Sequence, residues 1–252
     1  MPAPSPRPYR PRAGPAWPKV VLFDLDDTLF DHDHACRSGI ARVRRGDARW
    51  GGHAAPQLYA EYSRQLEALH PKVLAGVLST EEARLERFHG LARWCGFEID
   101  RSEAAGFAQQ YRQQYLRARR AVPGARAVLE RLHGRVTIGV VTNNRVEDQH
   151  DKIRAIGIDR RIDFLVISEA VGCSKPDPRI FRIALAEAGA EAEEAAMIGD
   201  SWVSDVMGAR GAGIPAIWFN RLHQRAPEPV DVPTIESYAP IGTLTRLLAR
   251  GA

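Results

Sequence analysis

Cysteine is scarce in this chain: Cys36, Cys95 and Cys173 stand far apart. Three scattered thiols form neither a disulfide framework nor a zinc-ligand pattern, and they suit a reducing compartment. The expected setting is cytoplasmic. No apolar run is long enough to span a bilayer. Arg7 and Arg10 are followed by no apolar stretch, so no secretory signal is expected. A block of one charge sign is also missing. The net charge is +4, but the arginines are dispersed and no short basic run is interleaved with aromatics. Nucleic acid is therefore disfavoured as a partner, while a small anionic substrate suits the basic balance. Internal repeats are absent.

With 252 residues, the chain can form one large domain or a domain carrying an inserted subdomain. Pro2, Pro4, Pro6, Pro8, Pro11, Pro15 and Pro18 crowd the first 18 residues. That density forbids helix and sheet interior, so residues 1–18 are expected to be a disordered or extended tail.

The run Val20-Val21-Leu22-Phe23 that follows is apolar, short and ends abruptly in carboxylates. It reads as a strand buried on both faces, the kind found in parallel sheets, whose ligands gather beyond the carboxyl ends of the strands. Asp24 and Asp26 fall where the apolar run gives out. Two carboxylates one residue apart point the same way on a strand, and like charges repel. Either the pair sits in a solvated acidic turn, or something cationic holds it, a bound metal ion being one candidate.

From Asp31 to about Arg120 the pattern is helical throughout. Leu58, Tyr62, Leu66 and Leu69 mark one apolar face, and Leu85, Phe88, Leu91 and Trp94 a second. The second is opened by Ser79-x-x-Glu82, a capping-box pattern. Phe107, Tyr111 and Tyr115 mark a third, ending in Arg117, Arg119 and Arg120, which suit the negative end of a helix dipole. Ile40, Val43 and Trp50 suggest a fourth helix, and Gly51-Gly52, Pro56 and Pro71 are expected breaks. The aromatics here are read as bundle core. Beyond Pro123-Gly124, short apolar strands at 136–141, 164–167, 195–198 and 215–219 alternate with helices at 146–156, 178–188 and 203–210, before a last helix with Leu244, Leu247 and Leu248. Such alternation means an α/β fold, a doubly wound parallel sheet with helices on both faces. The helical block interrupts it after the first strand, as an all-helical inserted cap would. The expected division is a core of 19–31 and 120–252 with a cap of 32–119.

Three further stretches sit at strand ends. Thr142, after Val140-Val141, offers a hydroxyl beside free backbone N–H groups, which can hold a phosphate oxygen or cap a helix. Lys175 stands in Ser174-Lys175-Pro176-Asp177-Pro178, either as a fixed point charge for phosphate or as a surface lysine before a helix. Gly199-Asp200-Ser201 follows an apolar run, with Asp205 after it. With Asp24-Leu25-Asp26-Asp27-Thr28, these stretches resemble, in order, the four motifs of the haloacid dehalogenase-like hydrolase superfamily. The resemblance covers about 19–31 and 120–220, and the cap matches in position and helical character.

The resemblance implies a magnesium-dependent phosphatase acting on a small phosphorylated metabolite. Asp24 would be the nucleophile that becomes an aspartyl-phosphate, and Asp26 the general acid/base. Thr142, Lys175 and the backbone N–H of Asn143 would bind phosphate. Mg²⁺ would be held by the carboxylates of Asp24 and Asp200 and the backbone carbonyl of Asp26, with Thr28, Ser201 and Asp205 in support. A halide leaving group needs no proton, so an acid at position 26 favours phosphate esters over haloacids. A phosphomutase and a non-catalytic phosphate-binding regulator are the alternatives. Helical caps usually accompany small substrates. Trp218-Phe219-Asn220-Arg221 resembles a stretch of nucleotidase-like and sugar-phosphatase-like members, with Asn220 and Arg221 read as loop residues. A nucleotidase-like or phosphoglycolate-phosphatase-like activity is the finer expectation. Asn144 stands where many relatives have glycine.

Overall fold

Strand β1 (Val20–Phe23) has no exposed residue. It forms the middle of a six-stranded parallel sheet in the computed structural model, which describes residues 17–226 and 231–249. The proline-rich stretch up to residue 16 lies outside the described residues. The other strands are β2 (Thr137–Thr142), β3 (Phe164–Ile167), β4 (Ala195–Gly199), β5 (Ala216–Phe219) and β6 (Thr234–Ile235). Their order is β3-β2-β1-β4-β5-β6, so β1 is flanked by β2 and β4. Val20 pairs with Thr137 on one side and Ala195 on the other. The ends of β1, β2 and β4 therefore lie level, and the order reverses beside β1, where open α/β sheets place their ligands.

Alternation sends Val21 and Phe23 to one face and Val20 and Leu22 to the other. Ile180, Phe181 and Ala184 of a helix at Pro178–Ala188 cover the second face. The first face is covered by Val128, Leu129 and Ile153, and its core runs on without a break into the insert.

The insert comprises α1 (His32–Gly46), α2 (Ala55–Leu74), α3 (Thr80–Trp94) and α4 (Arg101–Arg117). Its core is aromatic: Trp50, Tyr62, Phe88, Phe107 and Tyr111 are buried against one another. The Ser79–Glu82 capping box forms, with Glu82 N–H donating to Ser79 Oγ at 3.1 Å. Trp50 lies beyond α1, on a separate short 3₁₀ turn capped by the Asp47 side chain, so it does not continue the Ile40–Val43 stripe. The expected break at Pro71 does not occur, because α2 runs through it to Leu74. In the last turn a proline forfeits one intrahelical bond, and the helix ends before more are lost. Trp94, expected in the core, is 43% exposed and rests against the His53 ring. It is the last residue of α3, where the stripe has no further turn to join.

In the core, α5 (Ala125–Leu132), α6 (Val146–Ala155), α7 (Ser168–Val171) and α8 (Pro178–Ala188) alternate with the strands, and α10 (Ile241–Ala249) closes the described chain after α9 (Gly208–Gly211). The expected helix 203–210 is instead a π-helical turn, Trp202–Met207, leading into α9. The two-residue β6 and the four-residue α7 leave no periodicity for a sequence pattern to register. Among the described residues no helix is long and apolar enough to cross a membrane.

Candidate active site

Asp24 leaves the end of β1 but keeps its register, donating its N–H to the Ile198 carbonyl at 2.9 Å. The chain then folds back on itself. Leu29 and Phe30 donate to the Leu25 carbonyl, and Asp27 takes a left-handed conformation, φ 59°, which a short polar residue tolerates. Asp27 Oδ1 accepts from Asp33 N–H and from the Arg221 guanidinium, each at 2.8 Å. Arg221 also pairs with buried Asp31. Arg221 is thus a brace for the loop, and Asn220 bonds locally to Gln224, as loop residues should. The Thr28 side chain is fully buried without a hydrogen-bond partner, while its carbonyl accepts from Tyr238 Oη.

Among the chain's own cations, the carboxylates of Asp24 and Asp26 share none. Beyond Phe23 the chain is no longer a strand, and each acid finds its own lysine. Lys175 Nζ donates to Asp24 Oδ1 at 2.6 Å, to Asp205 Oδ1 at 2.6 Å and to the Val141 carbonyl at 2.8 Å. It is 4% exposed, which excludes a surface lysine. The Asn143 side-chain amide clamps the Lys175 backbone from both sides, donating to its carbonyl at 2.9 Å and accepting from its N–H at 2.8 Å. Asn143 therefore acts here through its side chain, where only a backbone N–H was expected. Asp26 is gripped by Lys152 Nζ at 2.6 and 2.8 Å, with Gln149 Nε2 at 3.3 Å and His32 at 3.8 Å. Thr142 is not a helix cap. Its buried hydroxyl accepts from Gln149 at 2.6 Å, which frees its own proton to be donated.

Lys152 and Gln149 were missed from the sequence. The signal is a stripe on α6: Gln149, Lys152, Ile153 and Ile156 step by three and four, and all four are buried. Two polar residues on a core-facing stripe need buried partners, and here these are Asp26 and Thr142.

Asp200 follows β4, with its carbonyl accepting from Trp218 Nε1 at 2.8 Å. Gly199 has no room for a side chain: a Cβ there would lie 2.4 Å from Asp205. Asp205, on the π-helical turn, accepts from Ser201 N–H at 2.9 Å, and Ser201 Oγ caps that turn by accepting from Ser204 N–H. Asp24, Asp200 and Asp205 each bring a carboxylate oxygen within 4.8 Å of the others. The Asp26 carboxylate is not in this group, being turned to Lys152.

Charge does not balance at this cluster. Lys175 is one ammonium among three acids. Burial, outweighing Lys175 and helped by Asp205, pushes Asp24 up to about 7. Burial and the Asp24 and Asp205 charges raise Asp200 well above its ordinary value. For Asp26, burial pulls upward, but Lys152 and His32 prevail and lower it. Two uncompensated carboxylates in a ring of hard oxygen donors suit a divalent cation such as Mg²⁺.

Beside Asp26 opens a cavity of about 250 Å³. It is lined by Asn143 just beyond β2 and by Asp148, Asp151 and Lys152 of the helix at Val146–Ala155, and its other walls come from α2, α3 and α4 of the insert.

A family model for haloacid dehalogenase-like hydrolases matches residues 18–213. The chain belongs to that family. It is 33% identical to a phosphoserine phosphatase of Thermus thermophilus, over 83% of this chain and 92% of that protein. It is 30% identical to a glyceraldehyde 3-phosphate phosphatase of Pyrococcus abyssi, over 80% of this chain and 81% of the other. It is 27% identical to the pyrimidine 5'-nucleotidase YjjG of Escherichia coli, over 82% of this chain and 88% of that protein. Among solved structures, YfnB from Bacillus subtilis superposes with a TM-score of 0.72 at 23% identity, covering 92% of this chain and 99% of that one. A 2-haloacid dehalogenase from Pseudomonas syringae gives 0.57 at 29%, covering 90% and 98%. The α/β sheet with an inserted helical block is thus the family's fold, and all four motif stretches lie within the matched residues.

Proposed function

We propose that this hydrolase cleaves a small phosphate monoester through a phosphoryl group carried on Asp24. The observation that carries this reading is the separation of two carboxylates: Asp24 beside Lys175 and the acidic ring, Asp26 held apart by Lys152. Asp24 attacks phosphorus, and the bond to the ester oxygen breaks. Asp26 passes that leaving oxygen a proton drawn from the Lys152 ammonium that grips it. It then removes a proton from the water that cleaves the Asp24–phosphate bond and hands it back to Lys152, returning all three groups to their starting state. The Lys175 ammonium and the Thr142 hydroxyl donate to the phosphoryl oxygens as charge builds there. A bound Mg²⁺, held by Asp24, Asp200 and the Asp26 carbonyl with Asp205 behind them, would neutralise charge between nucleophile and phosphate.

The relatives named phosphatases and a nucleotidase support the ester class. The likeness to a 2-haloacid dehalogenase raises the alternative of halide displacement. A halide leaves without a proton, so that chemistry gives Asp26 and its lysine no task. We further infer that residues 32–119 act as a cap over a core of 19–31 and 120–252, since the cavity beside Asp26 takes its walls from the insert. The three free cysteines support a cytoplasmic setting. The deciding experiment follows release of free phosphate from p-nitrophenyl phosphate with Mg²⁺. Wild-type turnover that vanishes in Asp24→Asn and with EDTA is the expected result. Undiminished turnover in either arm overturns the nucleophile or the metal assignment.

A further inference from the structure

The insert presents an unusual wall to the cavity beside Asp26. Arg84 and Arg87 stand one turn apart on α3, and Arg112 faces them from α4; all three line the cavity. Six arginines elsewhere, Arg37, Arg49, Arg64, Arg120, Arg179 and Arg221, each sit within 3 Å of a carboxylate oxygen, and unpaired ones such as Arg93 and Arg131 are exposed to solvent. Among the described residues, no carboxylate lies within salt-bridge distance of Arg84, Arg87 or Arg112. Arg87 is 9% exposed, donates one N–H to the Ala83 carbonyl of its own helix, and rests over the Tyr62 ring. Its other donors have no partner among the described residues. Its stem is buried while its remaining donors open into the cavity, which is where a partner for them would have to sit. Burial and the nearby Arg112 and Arg87 charges lower the pKa of Arg84, and Asp148 in the same cavity offsets them only in part.

The rest of the cavity narrows the choice of anion. Leu66, Leu69 and Val73 of α2 supply an apolar side, and at about 250 Å³ the space suits a small molecule. Asp26 and Lys152 at its floor place the departing half of a substrate inside it.

We propose that Arg84, Arg87 and Arg112 form a subsite for a second anionic group, a carboxylate or a further phosphate, carried on the leaving half of a small phosphorylated substrate. The proposal rests on the phosphate-ester reading above for the position of the first phosphate. Guanidinium forks match the planar carboxylate and the phosphate edge alike, and both gain most in a partly desolvated pocket. A substrate bearing only neutral groups beyond its phosphate leaves the three charges unmet.

The test measures binding by calorimetry, using the full chain with Mg²⁺ in excess and three matched phosphonates that cannot turn over. Propylphosphonate carries no second charge, 3-phosphonopropionate carries a carboxylate and propane-1,3-diphosphonate a second phosphonate. At least one doubly anionic ligand is expected to bind roughly tenfold or more tightly than propylphosphonate. Which one does so identifies the group. Arg84→Gln and Arg112→Gln should each shrink that ratio several-fold, and Arg84→Lys should restore much of it, which a general loss of fold would not. Equal affinities for the three ligands, or a ratio untouched by both glutamine variants, overturn the subsite. Preferential binding without p-nitrophenyl phosphate turnover supports the subsite and defeats the hydrolytic reading. Turnover with equal affinities defeats the subsite alone.

Discussion

At the carboxyl edge of the sheet, charges of opposite sign meet within hydrogen-bond distance: Lys175 with Asp24 and Asp205, Lys152 with Asp26. On the wall of the insert, three arginines face one another with no carboxylate among the described residues within salt-bridge distance, and Asp148 in the same cavity offsets their charge only in part. The first arrangement is a machine assembled in advance, with each side chain aimed before any substrate arrives. The second is a set of donors held ready, whose partner has to come from outside. The difference teaches where chemistry and choice reside in this fold. Reacting groups gain from being held by their neighbours, whereas recognition groups gain from being left unmatched until a ligand binds.

The sharpest break falls on the paired region. Asp24→Asn, or removal of divalent metal with EDTA, should cut p-nitrophenyl phosphate turnover by roughly 10⁴-fold or more, read as released phosphate. Next come the two lysines. Lys175→Met strips the ammonium from two buried acids at once and should cost about 3–5 kcal/mol in urea unfolding of the metal-free protein. Lys152→Met unpairs only Asp26, which is partly open to the cavity, so its stability loss should be smaller while kcat falls about 10- to 100-fold. If the two variants unfold alike, the paired region is not organised around Lys175.

The acidic ring then makes a prediction about pH. Burial pushes Asp24 up to about 7 in the folded state, against an ordinary carboxyl value of 3.8. The folded state therefore holds the proton more tightly, and the resulting stability is complete below pH about 4 and lost as pH rises through about 7. Metal-free protein should melt at falling temperatures across that window. Mg²⁺ replaces the lost protons, so its addition should raise Tm more at pH 8 than at pH 5. A larger rise at pH 5 would contradict the ring as a metal site. The smallest effect lies in the insert, and its sign is the informative part. Removing a paired cation destabilises, but Arg112→Gln relieves repulsion and should leave the ligand-free protein unchanged or more stable by about 0.5 kcal/mol.

The sequence pattern carried the catalytic edge further than it carried the insert. The apolar run 20–23 with its abrupt acids, the strands after it, and the stations at Thr142 and Asp200 lie at strand ends of the parallel sheet, whereas Lys175 comes only after α7 has followed β3. Asp26's partner was hidden because Lys152 reaches it from a helix face, across 126 residues of chain. The π-helical turn at Trp202–Met207 and the continuation of α2 past Pro71 were hidden as well, the latter because a proline in a helix's last turn forfeits only one bond. Trp94 and Trp50 show the limit of apolar spacing, which finds a stripe but not where the stripe stops.

What the chain determines by itself is the order of its strands' ends and the chemical types that stand on them. Hydrophobic alternation and turn chemistry are local, and they repeat within a few residues. Tertiary structure alone decided which lysine holds which aspartate and that the polar half of the α6 stripe turns toward Asp26. It also decided that three arginines from two helices share one cavity without a salt-bridge partner among the described residues. Those outcomes depend on distances between elements far apart in the chain, which packing sets and no periodicity records.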